Sequence, residues 1–147
     1  MVITAASTGV GRACARRFAA EGFIGCAFAR SAVKLEALAT EFEAIHSYPL
    51  DVSDAAAVEV ASRRVQSDHG RVDVLINNAG VTTGGQPEDA ETVDRIIDTN
   101  LKGTMYCTFA ALPIMRARHE GRDFKVASIS GVDIQPEGNT GLYAASK

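Results

Sequence analysis

Residues 1 to 12 read Met-Val-Ile-Thr-Ala-Ala-Ser-Thr-Gly-Val-Gly-Arg, and this order of residue types admits few folds. Val2 and Ile3 are apolar and β-branched, as a buried strand requires. Gly9 and Gly11 allow a tight turn and let backbone N–H groups approach a ligand closely. From Val10 the pattern becomes helical, with Ala15, Phe18 and Ala19 available to one face. Strand, glycine turn and helix N-terminus together make an anion site, because unpaired N–H groups and the helix dipole converge on one spot. Two glycines also make a plain turn, so the rest of the chain must decide between the two readings.

The 147 residues, 46% hydrophobic and 22% charged, fit one globular domain. A net charge of −3 without a basic run excludes the electrostatic footprint of a nucleic-acid binder. No apolar stretch is long enough for a membrane span, and the N-terminus lacks the regions of a secretory signal. Cys14, Cys26 and Cys107 are odd in number and widely spaced. They suit neither a disulfide framework nor a zinc site, and read as buried thiols of a cytoplasmic protein with no metal ligands.

Along the chain, Phe23 to Ala29 reads as a nearly all-apolar strand, the kind covered on both faces in parallel sheets. Arg30 follows it. Ser31 caps a helix carrying Leu35, Leu38 and Phe42 at helical spacing. A third strand over 44–50 ends at Asp51. Asp54 starts a helix with Val58, Ala61 and Val65 on one side. Val72 to Ile76 is a fourth strand and leads into Asn77-Asn78-Ala79-Gly80. A looser region with Gly84, Gly85 and Pro87 precedes a long helix from about Asp89 to Arg118, whose apolar stripe is expected to run Val93, Ile96, Ile97, Leu101 and to include Asn100. Phe124 to Ile129 is a fifth strand. Alternating strands and helices define an α/β, doubly wound parallel sheet, and right-handed crossovers give the order 3-2-1-4-5.

Ligands of such sheets sit outside the carboxyl ends of the strands. Past those ends lie the glycine turn, Arg30, Asp51, the Asn77–Gly80 segment and Ser130. Singly, Arg30 reads equally as a surface charge, Asp51 as a cap and Asn77-Asn78 as a turn. Together on one rim they point to a nucleotide. Tyr143 and Lys147, four apart, share a helix face. An ammonium beside a phenol favours the phenolate and makes the Tyr a usable proton donor, although a lone Tyr-x-x-x-Lys is more simply an exposed pair.

This ordered set resembles the short-chain dehydrogenase/reductase family. Thr4, Gly9 and Gly11 match its glycine turn, Asn77 to Gly80 its Asn-Asn-Ala-Gly, and Asn100 its Asn within a long helix. Ser130, thirteen residues before Tyr143, matches its catalytic Ser, and Tyr143 and Lys147 match its Tyr-x-x-x-Lys. Ala5 departs from the pattern, standing where the family usually has its first Gly. A positive φ there would cost roughly 1–2 kcal/mol through the Cβ. Ile129 replaces a frequent Ser.

The resemblance implies a Rossmann-type fold, one NAD(P)-binding domain over 1–147, and oxidoreductase activity on a small hydroxy or keto compound. It implies that Tyr143 donates a proton, that Ser130 holds the carbonyl oxygen, that Lys147 lowers the Tyr pKa and binds the nicotinamide ribose, and that Asn100 supports a proton relay through water and Lys147. The cofactor residues it implies are Thr4, Ser7, Thr8, Gly9, Val10 and Gly11 of the turn, Asp51 and Val52 at the adenine, Asn78, Ala79 and Gly80 at the adenosine side, and Tyr143 with Lys147. NAD-specific relatives place an Asp after the second strand. Here Ala29 and Arg30 stand there, so NADP is the expected cofactor, with Arg30 pairing its 2′-phosphate. The segment Ile97 to Gly103 and the Gly138-Asn139 loop resemble members that oxidise small 3-hydroxy acids. Family members are usually homo-oligomers whose Tyr/Lys helix continues past the Lys, with two further strands beyond. Against that pattern the chain reads as incomplete at its C-terminus, with an apolar fifth edge strand. It is therefore expected to be inactive or nearly so, and aggregation-prone or dependent on a partner for its fold; the alternative to a carbonyl reductase or alcohol dehydrogenase is a non-catalytic nucleotide-binding or partner-binding fragment.

Overall fold

The computed structural model describes residues 1–82, 89–133 and 141–147. Its centre is a five-stranded parallel sheet in the order β3-β2-β1-β4-β5, as the alternation of elements requires. β1 (Val2–Thr4) lies between β2 (Gly25–Ala29) and β4 (Val74–Asn77), with Val2 opposite Cys26 on one side and Leu75 on the other. β3 (Ile45–Pro49) flanks β2, and β5 (Arg122–Lys125) flanks β4.

The central strands are apolar except for Thr4 and Asn77 at their carboxyl ends, because each has two covered faces. Val2, Phe28 and Leu75 point into one core, against α3 (Ala55–His69) and α5 (Gly103–Ala117). Ile3, Ala27 and Ile76 point into the other, against α1 (Gly9–Ala20) and α2 (Ala32–Glu41). Val58, Ala61 and Val65 of α3 and Leu35 and Leu38 of α2 are buried as their spacing predicts. Side chains such as Phe28, Ile3 and Leu35, with almost no exposed surface, each contribute roughly 1.5–3 kcal/mol. Ser31 caps α2 and Asp54 caps α3, each accepting backbone N–H groups of the first turn.

Three expectations need correction. β2 and β4 each begin two residues later than the apolar runs suggest, at Gly25 and Val74. The fifth strand is Arg122–Lys125 rather than 124–129, because β4 sets its register: Val74 pairs with Arg122 and Asn77 with Lys125, and the ladder ends where β4 ends. That edge is consequently mostly charged rather than apolar, with Phe124 53% exposed. Ile129 lies in a 3₁₀ turn, Ile129–Gly131.

The long helix is α4 (Ala90–Ile96), a π-helical segment (Ile97–Lys102) and α5. Widening the helix by one residue rotates its buried face. Ile96, Asn100, Gly103, Cys107, Ala111 and Met115 face inward, while Val93 and Leu101 stay 36% and 44% exposed. The helix α6 (Gly141–Ala145) carries Tyr143. Gly84, Gly85, Pro87, Gly138 and Asn139 lie outside the described residues. Among the described residues no helix is long and apolar enough to cross a membrane.

Candidate active site

The carboxyl ends of β1 to β4 open on a cleft of about 380 Å³. Ser7 and Thr8 of the glycine turn line one side, Arg30, Asp51 and Val52 another, and Ala79 with Gly80 a third. α1 starts at this cleft with Thr8 as its N-cap, and no side chain caps its first turn. Its N–H groups are therefore left for an external acceptor, which suits a pyrophosphate. Gly9, at φ 54°, adopts a backbone that other residues rarely take, and open space surrounds it. A Cβ on Gly11 would lie 2.4 Å from the carbonyl oxygen of Ala5 and 2.6 Å from Nδ2 of Asn78. Gly11 thus lets the helix close onto the turn. Val10 is exposed beside it.

Ala5 has φ 52°, the strained left-handed backbone that its departure from the family glycine made a concern.

Thr4 and Asn78 sit beneath the rim rather than on it. The Thr4 hydroxyl is buried and accepts the N–H groups of Asn78 at 2.9 Å and Ala79 at 2.8 Å, while the Asn78 amide donates to the Thr4 carbonyl at 3.1 Å. They tie β1 to β4 and fix where Ala79 and Gly80 emerge. Asn77 is buried too and braces β4 to α5 and β5, donating to Thr108 at 3.2 Å and Asp123 at 3.0 Å.

The catalytic candidates gather at the β4 and β5 ends. Asn100 accepts the N–H of Val81 at 2.7 Å, and its amide donates to the Val81 carbonyl and to Ser146, both at 2.9 Å. The ammonium of Lys147 donates to the Val126 carbonyl at 2.7 Å. A Cβ on Gly80 would meet that ammonium at 3.2 Å and Asn100 at 3.6 Å, so the bare Gly80 backbone leaves a cradle between them. Ser130 rides on the 3₁₀ turn, whose Gly131 packs against the end of the Tyr143 segment. Among the described residues Ser130 and Tyr143 share no hydrogen bond. Tyr143 is half-buried.

Lys34, Val81 and Thr99 also line the cleft, as does the helix cap Ser31; none of the four stands out as a site residue in the sequence. Lys34 follows Arg30 by four positions, within the first turn of α2, which is the signal that would have found it. Arg30 lies 3.9 Å from Asp51, whose other oxygen accepts the N–H and hydroxyl of Ser53 at 3.0 and 2.8 Å.

A larger groove of about 480 Å³ runs between α3 and α5, lined by Val58, Tyr106, Phe109 and Ile114. Its Glu59 and Arg63 pair with each other, and none of the candidate residues lines it. Burial pushes the thiols of Cys26 and Cys107 up to about 11 and 12, which keeps both protonated and unreactive.

The cleft on the strand ends and the cluster around Gly80 define a dinucleotide-dependent class of protein. The chain matches the short chain dehydrogenase family over residues 1–147 and belongs to it. It is 36% identical to a 2-dehydro-3-deoxy-L-rhamnonate dehydrogenase (NAD(+)) of Sphingomonas sp., over 99% of this chain and 59% of the relative. It is 35% identical to an NADP-dependent 3-hydroxy acid dehydrogenase of Salmonella typhi, over 100% of this chain and 60% of the relative. Among solved structures, the serine dehydrogenase from Escherichia coli superposes with a TM-score of 0.91 at 32% identity, covering 99% of this chain and 68% of that one. The chain spans about 60% of the length of the curated relatives it matches.

Proposed function

We propose that this chain carries the cofactor site and catalytic residues of an NADP(H)-dependent oxidoreductase acting on a small hydroxy or keto acid. The observation that carries the cofactor choice is the end of β2. Ala29 and Arg30 line the cleft there, so no carboxylate follows the strand to take two ribose hydroxyls, and a guanidinium is in place for a 2′-phosphate. The relatives named above differ in cofactor, one NAD and one NADP, which makes this local chemistry the deciding feature. Hydroxy-acid chemistry is supported by the names of those same relatives.

The residues present fit such a cofactor. The uncapped start of α1 would hold the pyrophosphate, Asp51 and Val52 the adenine, and Ala79 and Gly80 the adenosine side. The nicotinamide supplies the hydride chemistry. Tyr143 holds the proton for the substrate oxygen, Ser130 orients that oxygen, and Lys147 lies over Gly80 where a ribose hydroxyl would sit. Asn100 has its side chain committed to Val81 and Ser146, so its part is that of a positioning residue that holds the Tyr143 segment in register. The buried thiols of Cys26 and Cys107 suit the reducing cytoplasm, and a homo-oligomer is the assembly proposed from the family.

The test is oxidation of NADPH or reduction of NADP⁺ by the natural full-length protein across a panel of 2- and 3-keto acids, 3-hydroxy acids and neutral carbonyl compounds. Turnover confined to, or fastest on, the acids supports the reading. Cofactor binding without turnover on any of them would make the protein a non-catalytic binder.

A further inference from the structure

Among the described residues β5 is an edge of the sheet and pairs with β4 alone. Three of its four side chains are exposed, and Asp123 is the one that turns inward. One oxygen of its carboxylate accepts the Asn77 amide of β4 at 3.0 Å, and the other accepts the Thr108 hydroxyl of α5 at 2.9 Å. Asn77 also donates to Thr108 at 3.2 Å, while its own Oδ1 is buried without a partner among the described residues. Lys125 balances the charge of Asp123 at 2.7 Å, and the nearby Cys107 thiol of α5 is protonated. One residue past β5, the Val126 N–H donates to the Asn77 backbone carbonyl at 2.9 Å. The Val126 carbonyl in turn accepts the Lys147 ammonium at 2.7 Å. Lys147 is therefore anchored on the end of an edge strand, and Asp123 is the side chain that bonds that strand to both β4 and α5.

We propose that Asp123 is a positioning residue for Lys147: by tying β5 to β4 and α5, it sets where the Val126 carbonyl holds the ammonium beside Gly80. The proposal rests on the reading of Tyr143 and Lys147 above. Asp123 does not line the cofactor cleft, so it acts through Val126 and Lys147. β5 buries no apolar side chain of its own, Phe124 being exposed, and a strand with so little buried surface opens locally at small cost. The charge-assisted bonds of Asp123 oppose that opening. A shift of the Val126 carbonyl would carry the ammonium away from the position over Gly80, and misplacement on the order of 1 Å is enough to slow a reaction markedly.

The experiment compares the full-length parent with Asp123→Ala, Asp123→Asn, Thr108→Val, Lys147→Ala and the core variant Val65→Ala. Calorimetry reads the affinity for NADP⁺ and for its adenosine half, adenosine 2′,5′-bisphosphate, which lacks the ribose assigned to Lys147. The kcat for oxidation of the best hydroxy substrate is followed against pH. Asp123→Ala is expected to weaken NADP⁺ about fivefold and to leave the bisphosphate within about twofold. It should lower kcat about tenfold and move the rise of kcat with pH about one unit higher, since a displaced ammonium favours a phenolate less. Asp123→Asn keeps both neutral bonds and should stay within about threefold of the parent, with the parental pH profile. Thr108→Val should move affinity and profile in the same direction by less, and is read in place of Asp123→Ala if that variant does not fold. Val65→Ala, which loosens the core under α3, should move neither. Parental NADP⁺ affinity and pH profile in Asp123→Ala (or in Thr108→Val as its substitute) would overturn the positioning role. So would equal weakening of NADP⁺ and the bisphosphate, or a profile shifted as far by Val65→Ala. A Lys147→Ala protein with parental affinity and profile would instead overturn the reading of Lys147, and the role of Asp123 with it.

Discussion

The amide nitrogen of Asn100 donates to the hydroxyl of Ser146 at 2.9 Å, across 46 positions of sequence. Ser146 in turn donates to the Tyr143 carbonyl at 2.7 Å, and the same Asn100 side chain holds both backbone groups of Val81. One buried amide therefore joins the exit of β4, the π-helical segment and the Tyr143 segment. Ser146→Ala should cost about 1 kcal/mol in urea unfolding, and Asn100→Asp about 2 kcal/mol, because an acceptor would then face the Val81 carbonyl. If both variants unfold with the parent's midpoint, the three-way connection contributes nothing.

Ala5 holds φ 52° where glycine would be free of strain. Ala5→Gly relieves roughly 1–2 kcal/mol of Cβ strain and gives back part of it as unfolded-chain entropy. A net gain of about 0.5–1 kcal/mol is expected, read as a rise in melting temperature. Gly11→Ala is the opposite case, since its Cβ would enter the Ala5 carbonyl at 2.4 Å. It should destabilise by about 3 kcal/mol. Equal melting temperatures for parent and Ala5→Gly would mean that the turn relaxes without strain.

His69, at the end of α3, contacts the Tyr48 hydroxyl at 3.2 Å and packs against His46, the rings tilted by 55° with centroids 4.7 Å apart. Burial first, and then His46 and the N-terminal ammonium, hold its imidazolium below the ordinary value of 6.5, while Asp68 opposes them. The unfolded chain thus takes up the proton at a higher pH than the folded one. The stability linked to this group is present above about pH 6.5 and is lost as pH falls through the lowered folded value. His69→Gln should show a flatter decline in urea midpoint between about pH 7.5 and 5.5. Identical slopes would remove His69 as the cause.

Much of this arrangement is legible in the sequence, for definite reasons. The sheet order follows from strands that alternate with helices, with the all-apolar run of β2 marking a strand covered on both faces. Ser31 and Asp54 are read as caps because short oxygens precede apolar helical spacing. Arg30 and Asp51 stand out because they follow strands. The misses are equally physical. At a strand end, one residue separates the rim from the interior, so Thr4 and Asn77 turn inward against a simple reading. Asn100 is buried as its spacing predicts, but no composition marks the π-helical segment that turns Val93 and Leu101 outward and brings Gly103 and Cys107 in. The register of β5 belongs to β4, with which it pairs, and not to its own apolar run. Lys34 is an ordinary surface lysine until the fold lays the start of α2 beside the cleft.

Tyr143 is the proposed proton donor, and one substitution tests it most directly. Turnover and cofactor affinity are measured on the full-length parent and Tyr143→Phe with the best substrate of the keto-acid panel. Loss of a placed proton donor should lower kcat by roughly 10²–10⁴-fold, while the dissociation constant for NADP⁺ stays within about threefold, since the Phe keeps the ring and removes one hydroxyl. A Tyr143→Phe protein that turns over at nearly the parental rate would contradict the assignment of the active site.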